Sequence, residues 1–208
     1  MSTPAHKMVA EQLVPHGVTD QRVLRAMSEI PREEFISPRL RRHAYDDRAL
    51  GIECGQTISQ PLVVALMTQA LASKPDDLAL EVGTGSGYQA AVLSRLCRKL
   101  ITLEREPALA EHASATLRRL GFDNIEVAVA DGSLGWPAEA PYDIILVAAA
   151  AREVPPALIE QLAEGGRMVI PVDVAPDEPQ DLRLYLKQGG EVTYRSMFPV
   201  LFVPLRTG

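Results

Sequence analysis

Positive charge is in short supply. The 208 residues carry 21 Lys and Arg against 27 Asp and Glu, a net charge of −6. A protein that grips a phosphate backbone uses a surplus of Lys and Arg, so no nucleic-acid partner is expected. The cluster Arg39, Arg41 and Arg42 reads as a solvated face. Aromatic residues make up only 5%, too few for a base-stacking surface. The two cysteines, Cys54 and Cys97, stand far apart with no metal-ligand spacing. That argues against a disulfide framework or a metal site and fits a reducing compartment; Cys54 reads as a partly buried bystander. No apolar run approaches the roughly 20 residues that span a bilayer. Met1 to Ala10 has no signal-peptide core between Pro4 and His6–Lys7. A cytoplasmic, monomeric protein without metal or membrane segment is expected.

What is present divides the chain in two. Residues 1–74 read as helices and loops, on the substrate side, and residues 75–208 as an alternation of strand and helix, within a single domain at 1–208. In the first part a helix over Val9–Val14 stops near Gly17, and Asp20 caps a helix over Val23–Ile30 that Pro31 ends. Asp46–Ile58 reads as a long loop. Ser59-Gln60-Pro61 opens a helix to about Ser73, apolar on nearly every face from Leu62 to Met67 and so buried.

In the second part strands are expected over Leu78–Val82, Leu100–Leu103, Ile125–Val129, Tyr142–Val147 and Arg167–Pro171. Helices are expected over Gly87–Cys97 and Pro107–Leu120, the latter closed by Gly121, and from Pro155–Pro156 to Ala163, ended by Gly165–Gly166. Leu182–Lys187 and Glu191–Val203 form an antiparallel hairpin around Gly189–Gly190. The pattern predicts an α/β fold with a doubly wound, mostly parallel sheet, its ligand beyond the carboxyl ends of the strands.

The sharpest local signal is Glu81-Val82-Gly83-Thr84-Gly85-Ser86-Gly87-Tyr88, between a strand and a helix. Glycines let the chain turn tightly and a ligand lie against bare backbone. A dinucleotide fingerprint needs its third glycine one position later, where Tyr88 stands, and no Lys-Ser/Thr follows for a triphosphate loop. A tight turn with no ligand is the alternative. Glu104 ends the next strand, about 20 positions on, where a carboxylate can accept from both ribose hydroxyls of a nucleoside. Asp131-Gly132 ends the third, where a carboxylate and a backbone N–H can receive an adenine edge. For each the alternative is a helix cap or a solvated strand end. Three contacts at three successive strand ends favour an adenosyl ligand without a pyrophosphate, S-adenosyl-L-methionine.

At this point the chain resembles the protein-L-isoaspartate (D-aspartate) O-methyltransferase family, class I S-adenosylmethionine-dependent enzymes of Rossmann-like fold. The resemblance rests on Gln56-Thr57-Ile58-Ser59-Gln60-Pro61, Glu81 to Ala90, Asp131 to Trp136, Ala140 to Asp143 and Gly165 to Pro171. Pro31-Arg32-Glu33-Glu34-Phe35 and Phe202-Val203-Pro204-Leu205 add to it. The family pattern is departed from at Ala130, Ala148, Asp173 and the Gly51–Cys54 loop, near the substrate edge. The resemblance implies repair of damaged proteins. The free α-carboxylate of an isoaspartyl residue is methylated, and the ester collapses to a succinimide that hydrolyses in part to normal Asp. It implies cofactor contacts from Gln56, Thr57, Ile58, Glu81, Gly83, Thr84, Gly85, Ser86, Gly87, Glu104, Arg105, Asp131 and Gly132, with Ser59 as the catalytic residue holding the acceptor. Position alone would make Ser59 an N-cap.

A carboxylate with a reference pKa near 3.5–4 is already ionised at neutral pH, so no general base is needed; His6, His16, His43 and His112 read as structural or exposed. A methyltransferase of the same fold with another acceptor, and a non-catalytic adenosyl-binding module, are the competing readings.

Overall fold

A computed structural model describes residues 3–208; Met1 and Ser2 lie outside the described residues. The N-terminal part packs short helices. Helix α1, Pro4–Met8, is capped by Thr3, whose hydroxyl accepts from the His6 N–H at 3.3 Å. It runs into a π turn at Val9–Leu13 and a 3-10 turn at Val14–His16 that ends at left-handed Gly17. Helix α2, Gln21–Glu29, starts at Asp20, whose carboxylate accepts from the Arg22 N–H at 2.9 Å, and buries Val23, Leu24, Ala26 and Met27. Two 3-10 turns follow, at Arg32–Phe35 and Pro38–His43; Arg41 in the second reaches Glu34 at 3.2 Å on the surface.

The stretch expected to be pure loop contains two paired strands, β1, Leu50–Gly51, and β2, Thr57–Ile58, in register Leu50↔Ile58. Two residues each are too short to show a period. The turn between them exposes Cys54 at φ 56°, so this thiol is not partly buried as expected. Helix α3, Pro61–Ala70, follows, with none of its residues exposed. Its N-cap is Gln60, not Ser59, and no side chain caps it; with proline at the first helical position one N–H is already gone.

The core is a seven-stranded sheet in the order β5-β4-β3-β6-β7-β8-β9. The strands are β3, Leu78–Val82, β4, Lys99–Glu104, β5, Ile125–Val129, β6, Tyr142–Val147, β7, Leu162–Val172, β8, Gln180–Gln188, and β9, Glu191–Val200. The first five are parallel; β8 and β9 complete the sheet as an antiparallel hairpin. Helices α4, Tyr88–Ser94, α5, Pro107–Arg119, and α6, Pro156–Glu160, link the parallel strands. Both faces of the central strands are buried, which is why they read as continuous apolar runs. Ala79, Leu100, Ile144 and Val169 join the core under the N-terminal helices, while Leu80, Val82, Ile101 and Ile145 join the core on the other face with Leu158 of α6.

Helix α3 stops at Ala70, short of the expected Ser73, and two later helix ends also differ from expectation. Helix α4 stops at Ser94 rather than Cys97. Helix α6 stops at Glu160, and Gly165–Gly166 lie inside β7, not at a helix end. Tyr142 pairs with Leu162 and Ile144 with Arg167, so β7 carries a bulge there. Gly165 has φ 73°, and a Cβ on Gly166 would lie 2.7 Å from the Ala163 carbonyl oxygen. The glycines serve the bulge. Gly189 and Gly190 both have positive φ between β8 and β9, as a two-residue hairpin turn requires. No helix of the described residues is long and apolar enough to cross a membrane.

Sheet order reverses at β3, whose neighbours are β4 and β6. The carboxyl ends of these strands are where an open α/β sheet leaves a crevice for a ligand.

Candidate active site

A cleft opens there, with about 870 Å³ between its walls when the part open to solvent is counted. Its floor is the turn from β3 to α4. Gly83, Gly85 and Gly87 take φ of 94°, 51° and 87°, conformations that carry a steric cost for residues with a Cβ. The Gly83 and Thr84 N–H groups donate to the Leu103 carbonyl at 2.8 and 3.1 Å, and the Gly85 N–H donates to Glu104 Oε2 at 2.8 Å. Glu104 Oε1 accepts from the Glu106 N–H at 3.0 Å. Each carboxylate oxygen accepts more than one bond, so Glu104, at the cleft wall, keeps acceptor capacity for a ligand while it braces the turn.

The facing wall comes from the N-terminal part. Strand β2 brings Thr57 and Ile58, with Gln56 and Ser59 on either side, to the cleft. The loop is held by its own backbone, Ile52 N–H to Gln56 carbonyl at 2.8 Å, and by Gln60 Nε2 donating to Asp47 at 2.9 Å. Arg32 donates to the Ser59 carbonyl at 2.6 Å and to the Ala44 carbonyl at 2.7 Å. The Ser59 hydroxyl caps nothing, since the α3 cap lies one residue on.

Eleven expected residues therefore meet at one cleft: Gln56, Thr57, Ile58 and Ser59 on one side, and Gly83, Thr84, Gly85, Ser86, Glu104, Arg105 and Gly132 on the other. Three do not line it. Glu81 is wholly buried behind the turn, where Thr102 donates to its Oε2 and Oε1 has no partner. Burial pushes its carboxyl up to about 8. Gly87 is the N-cap of α4, and a Cβ on it would stand 3.3 Å from Ala113. Asp131 fulfils its structural alternative. Its Oδ1 caps the 3-10 turn Gly132–Leu134, accepting from the Ser133 N–H at 2.9 Å and hydroxyl at 2.7 Å. Its Oδ2 accepts from the Gly208 N–H at 2.9 Å. The Ser133 bonds hold this carboxyl below the usual range. Gly132, beside it, packs so closely on Val82 that a Cβ would meet Cγ1 at 2.3 Å.

Several wall residues carry no binding role in the sequence reading. Tyr88 and Gln89 come from the first turn of α4, and Ala130 and Ala148, two departures from the family pattern, also line the cleft. Residues Val203–Arg206 cross its rim. They are carried there by Ala150, which donates to the Val203 carbonyl at 2.8 Å and accepts from the Leu205 N–H at 2.7 Å. The signal for this tail existed in Phe202-Val203-Pro204-Leu205 but carried no role. Among the described residues no group of three or more potential metal ligands forms.

A doubly wound sheet whose glycine turn meets an acidic residue at the next strand end, without the spacing that seats a pyrophosphate, defines a class I S-adenosylmethionine-dependent methyltransferase. The residues at the cleft fit such a group, bare backbone at the turn and a carboxylate with lone pairs to spare beside it. The chain belongs to the protein-L-isoaspartate(D-aspartate) O-methyltransferase (PCMT) family, which it matches over residues 4–208. It is 50% identical to a protein-L-isoaspartate O-methyltransferase of Opitutus terrae over 95% of this chain and 84% of that one. A solved protein-L-isoaspartate O-methyltransferase superposes with a TM-score of 0.87 at 30% identity, covering 98% of this chain; the chain spans 66% of that larger one. A Plasmodium falciparum structure described as a putative protein-L-isoaspartate O-methyltransferase in complex with S-adenosyl-L-homocysteine gives 0.82 at 28% identity, covering 97% and 98% of the two chains.

Proposed function

We propose that this chain is a protein carboxyl methyltransferase that uses S-adenosylmethionine to methylate the free α-carboxylate of L-isoaspartyl residues in damaged proteins, and so starts their repair through a succinimide. The observation that carries this reading is that Ser59 lines the same cleft as the glycine turn and Glu104, although the two come from separate parts of the chain.

Bound S-adenosylmethionine supplies a methyl group made electrophilic by the sulfonium. What the protein adds is position. Glu104 and the bare turn Gly83–Gly85 hold the nucleoside, with Gln56, Thr57, Ile58 and Arg105 closing over it. Asp131, beside the cleft residue Gly132 just past β5, would help hold the adenine. The Ser59 hydroxyl donates to one oxygen of the acceptor carboxylate and leaves the other free to attack. No proton has to be removed, because the acceptor is ionised at neutral pH. Alignment of the reacting atoms can lower a barrier by roughly 7–11 kcal/mol in well-oriented intramolecular systems. The protein acts as a cytoplasmic monomer with protein clients and no nucleic-acid partner.

Labelled S-adenosylmethionine, mixed with the protein and a matched pair of Asp and isoaspartyl peptides, tests the proposal. Label should pass to the isoaspartyl peptide alone. Label on both peptides would point to another acceptor class. Cofactor binding with no transfer would leave a binding module.

A further inference from the structure

Arg32 opens the 3-10 turn Arg32–Phe35, and its side chain is wholly buried. Buried charges are ordinarily paired with an opposite charge. Here Nε and Nη2 donate to two backbone carbonyls, those of Ala44 and Ser59. The guanidinium lies 4.7 Å from the centroid of the Tyr88 ring, which lines the cleft. The third nitrogen, Nη1, and the Tyr88 hydroxyl are both buried with no well-formed hydrogen bond, and the interaction left to them is with each other. The adjacent carboxylate, Glu33, is taken by the Tyr45 hydroxyl. Burial lowers the guanidinium from its ordinary value, but an arginine keeps its proton in a protein.

A simple strut would not need a charge. Two carbonyls can be tied by a neutral donor, whereas an unpaired guanidinium is costly to bury. The charge sits directly behind Ser59, bonded to its carbonyl, while Ser59 forms the cleft wall. We propose that Arg32 is a positioning residue of the acceptor site, fixing the Ser59 loop and countering, from behind it, the negative charge of the acceptor carboxylate. The inference rests on the acceptor reading above. It supplies a local attraction for an anionic substrate on a protein of net charge −6.

Arg32→Met removes the charge and the fork. Arg32→Lys keeps the charge but cannot bridge two carbonyls while stacking on Tyr88. The variants are compared with wild type by steady-state kinetics on an isoaspartyl peptide and by calorimetry with S-adenosylhomocysteine. Arg32→Met should raise the peptide KM at least tenfold and lower kcat. Arg32→Lys should return KM to within about threefold of wild type while kcat stays about tenfold down. The Kd for S-adenosylhomocysteine should stay within twofold in both. A KM in Arg32→Lys as poor as in Arg32→Met, or a Kd that rises in proportion as turnover falls, would overturn the proposal and leave a structural clamp. Should Arg32→Met not fold, Arg32→Lys decides alone: reduced kcat at unchanged Kd supports the role, and wild-type kinetics refute it. Wild-type protein inactive on the isoaspartyl peptide would instead refute the acceptor reading, whatever the variants do.

Discussion

The two walls of the cleft are built on different principles. The wall from residues 75–208 consists of strand ends. Val82, Leu103 and Val147 lie side by side in the sheet register, so the residues that follow them are brought together by the ladder itself. The wall from residues 1–74 has almost no ladder, only the two-residue pairing of β1 with β2. Its shape depends on side chains bonded to backbone, Arg32 to Ser59 and Gln60 to Asp47. Regular structure holds the part of the site proposed to receive the nucleoside, and a few specific contacts hold the part proposed to meet the acceptor. Substitutions on the two walls should therefore fail in separable ways.

The largest effect is expected from the regular wall. Glu104→Ala removes two acceptors for a ligand diol and also the brace on the Gly85 N–H. Hydrogen bonds to charged groups are worth about 1.5–3 kcal/mol, so cofactor affinity should fall about 100-fold, or ~2.7 kcal/mol. Calorimetry with S-adenosylhomocysteine reads it directly, and affinity within threefold of wild type would remove Glu104 from the nucleoside site. The irregular wall should give the converse. Ser59→Ala should lower kcat about 30-fold, or ~2 kcal/mol, with the same ligand binding as in wild type. If Ser59→Ala instead weakened that ligand as much as it slowed turnover, the two walls would not be separable and the division of labour would fail.

The same contrast explains what could be read from the sequence. The bounds of β3 and β6 match the expected Leu78–Val82 and Tyr142–Val147, because a strand buried on both faces is a short apolar run between turn residues; those of β5, Ile125–Val129, match as well, although this edge strand is only partly buried. The glycine turn and Glu104 follow from such strands. Strands β1 and β2 could not be seen, since pairing across a short turn leaves no period in two residues. Arg32 could not be seen as buried, because arginine is ordinarily exposed and nothing local marks its carbonyl partners. Asp131 was visible as a strand-end acid, yet an Asp before Gly-Ser is equally a cap, and the structure uses it so. Gly165–Gly166 were visible as a break, but helix stop and β-bulge share the same residue type.

Glu81 belongs to the regular wall but lies behind it, and it offers the mildest test of how that wall is held. Burial raises its carboxyl from 4.5 to about 8, so between these values the folded protein holds a proton that the unfolded chain has released. The stability linked to this proton is complete below pH 4.5 and is lost as pH rises through about 8. Within that window the loss is about 1.4 kcal/mol per pH unit, or roughly 3–6 °C in Tm for a chain of this size. Glu81→Gln keeps an acceptor for the Thr102 hydroxyl and carries no titrating proton. The Tm difference between wild type and Glu81→Gln, measured from pH 6 to 8, should therefore drift by that amount per unit in favour of the variant. Using the difference cancels every other titrating group. A constant difference would show Glu81 already ionised at pH 6, and would mean that a buried negative charge, not a neutral hydrogen-bonded acid, stands behind the glycine turn.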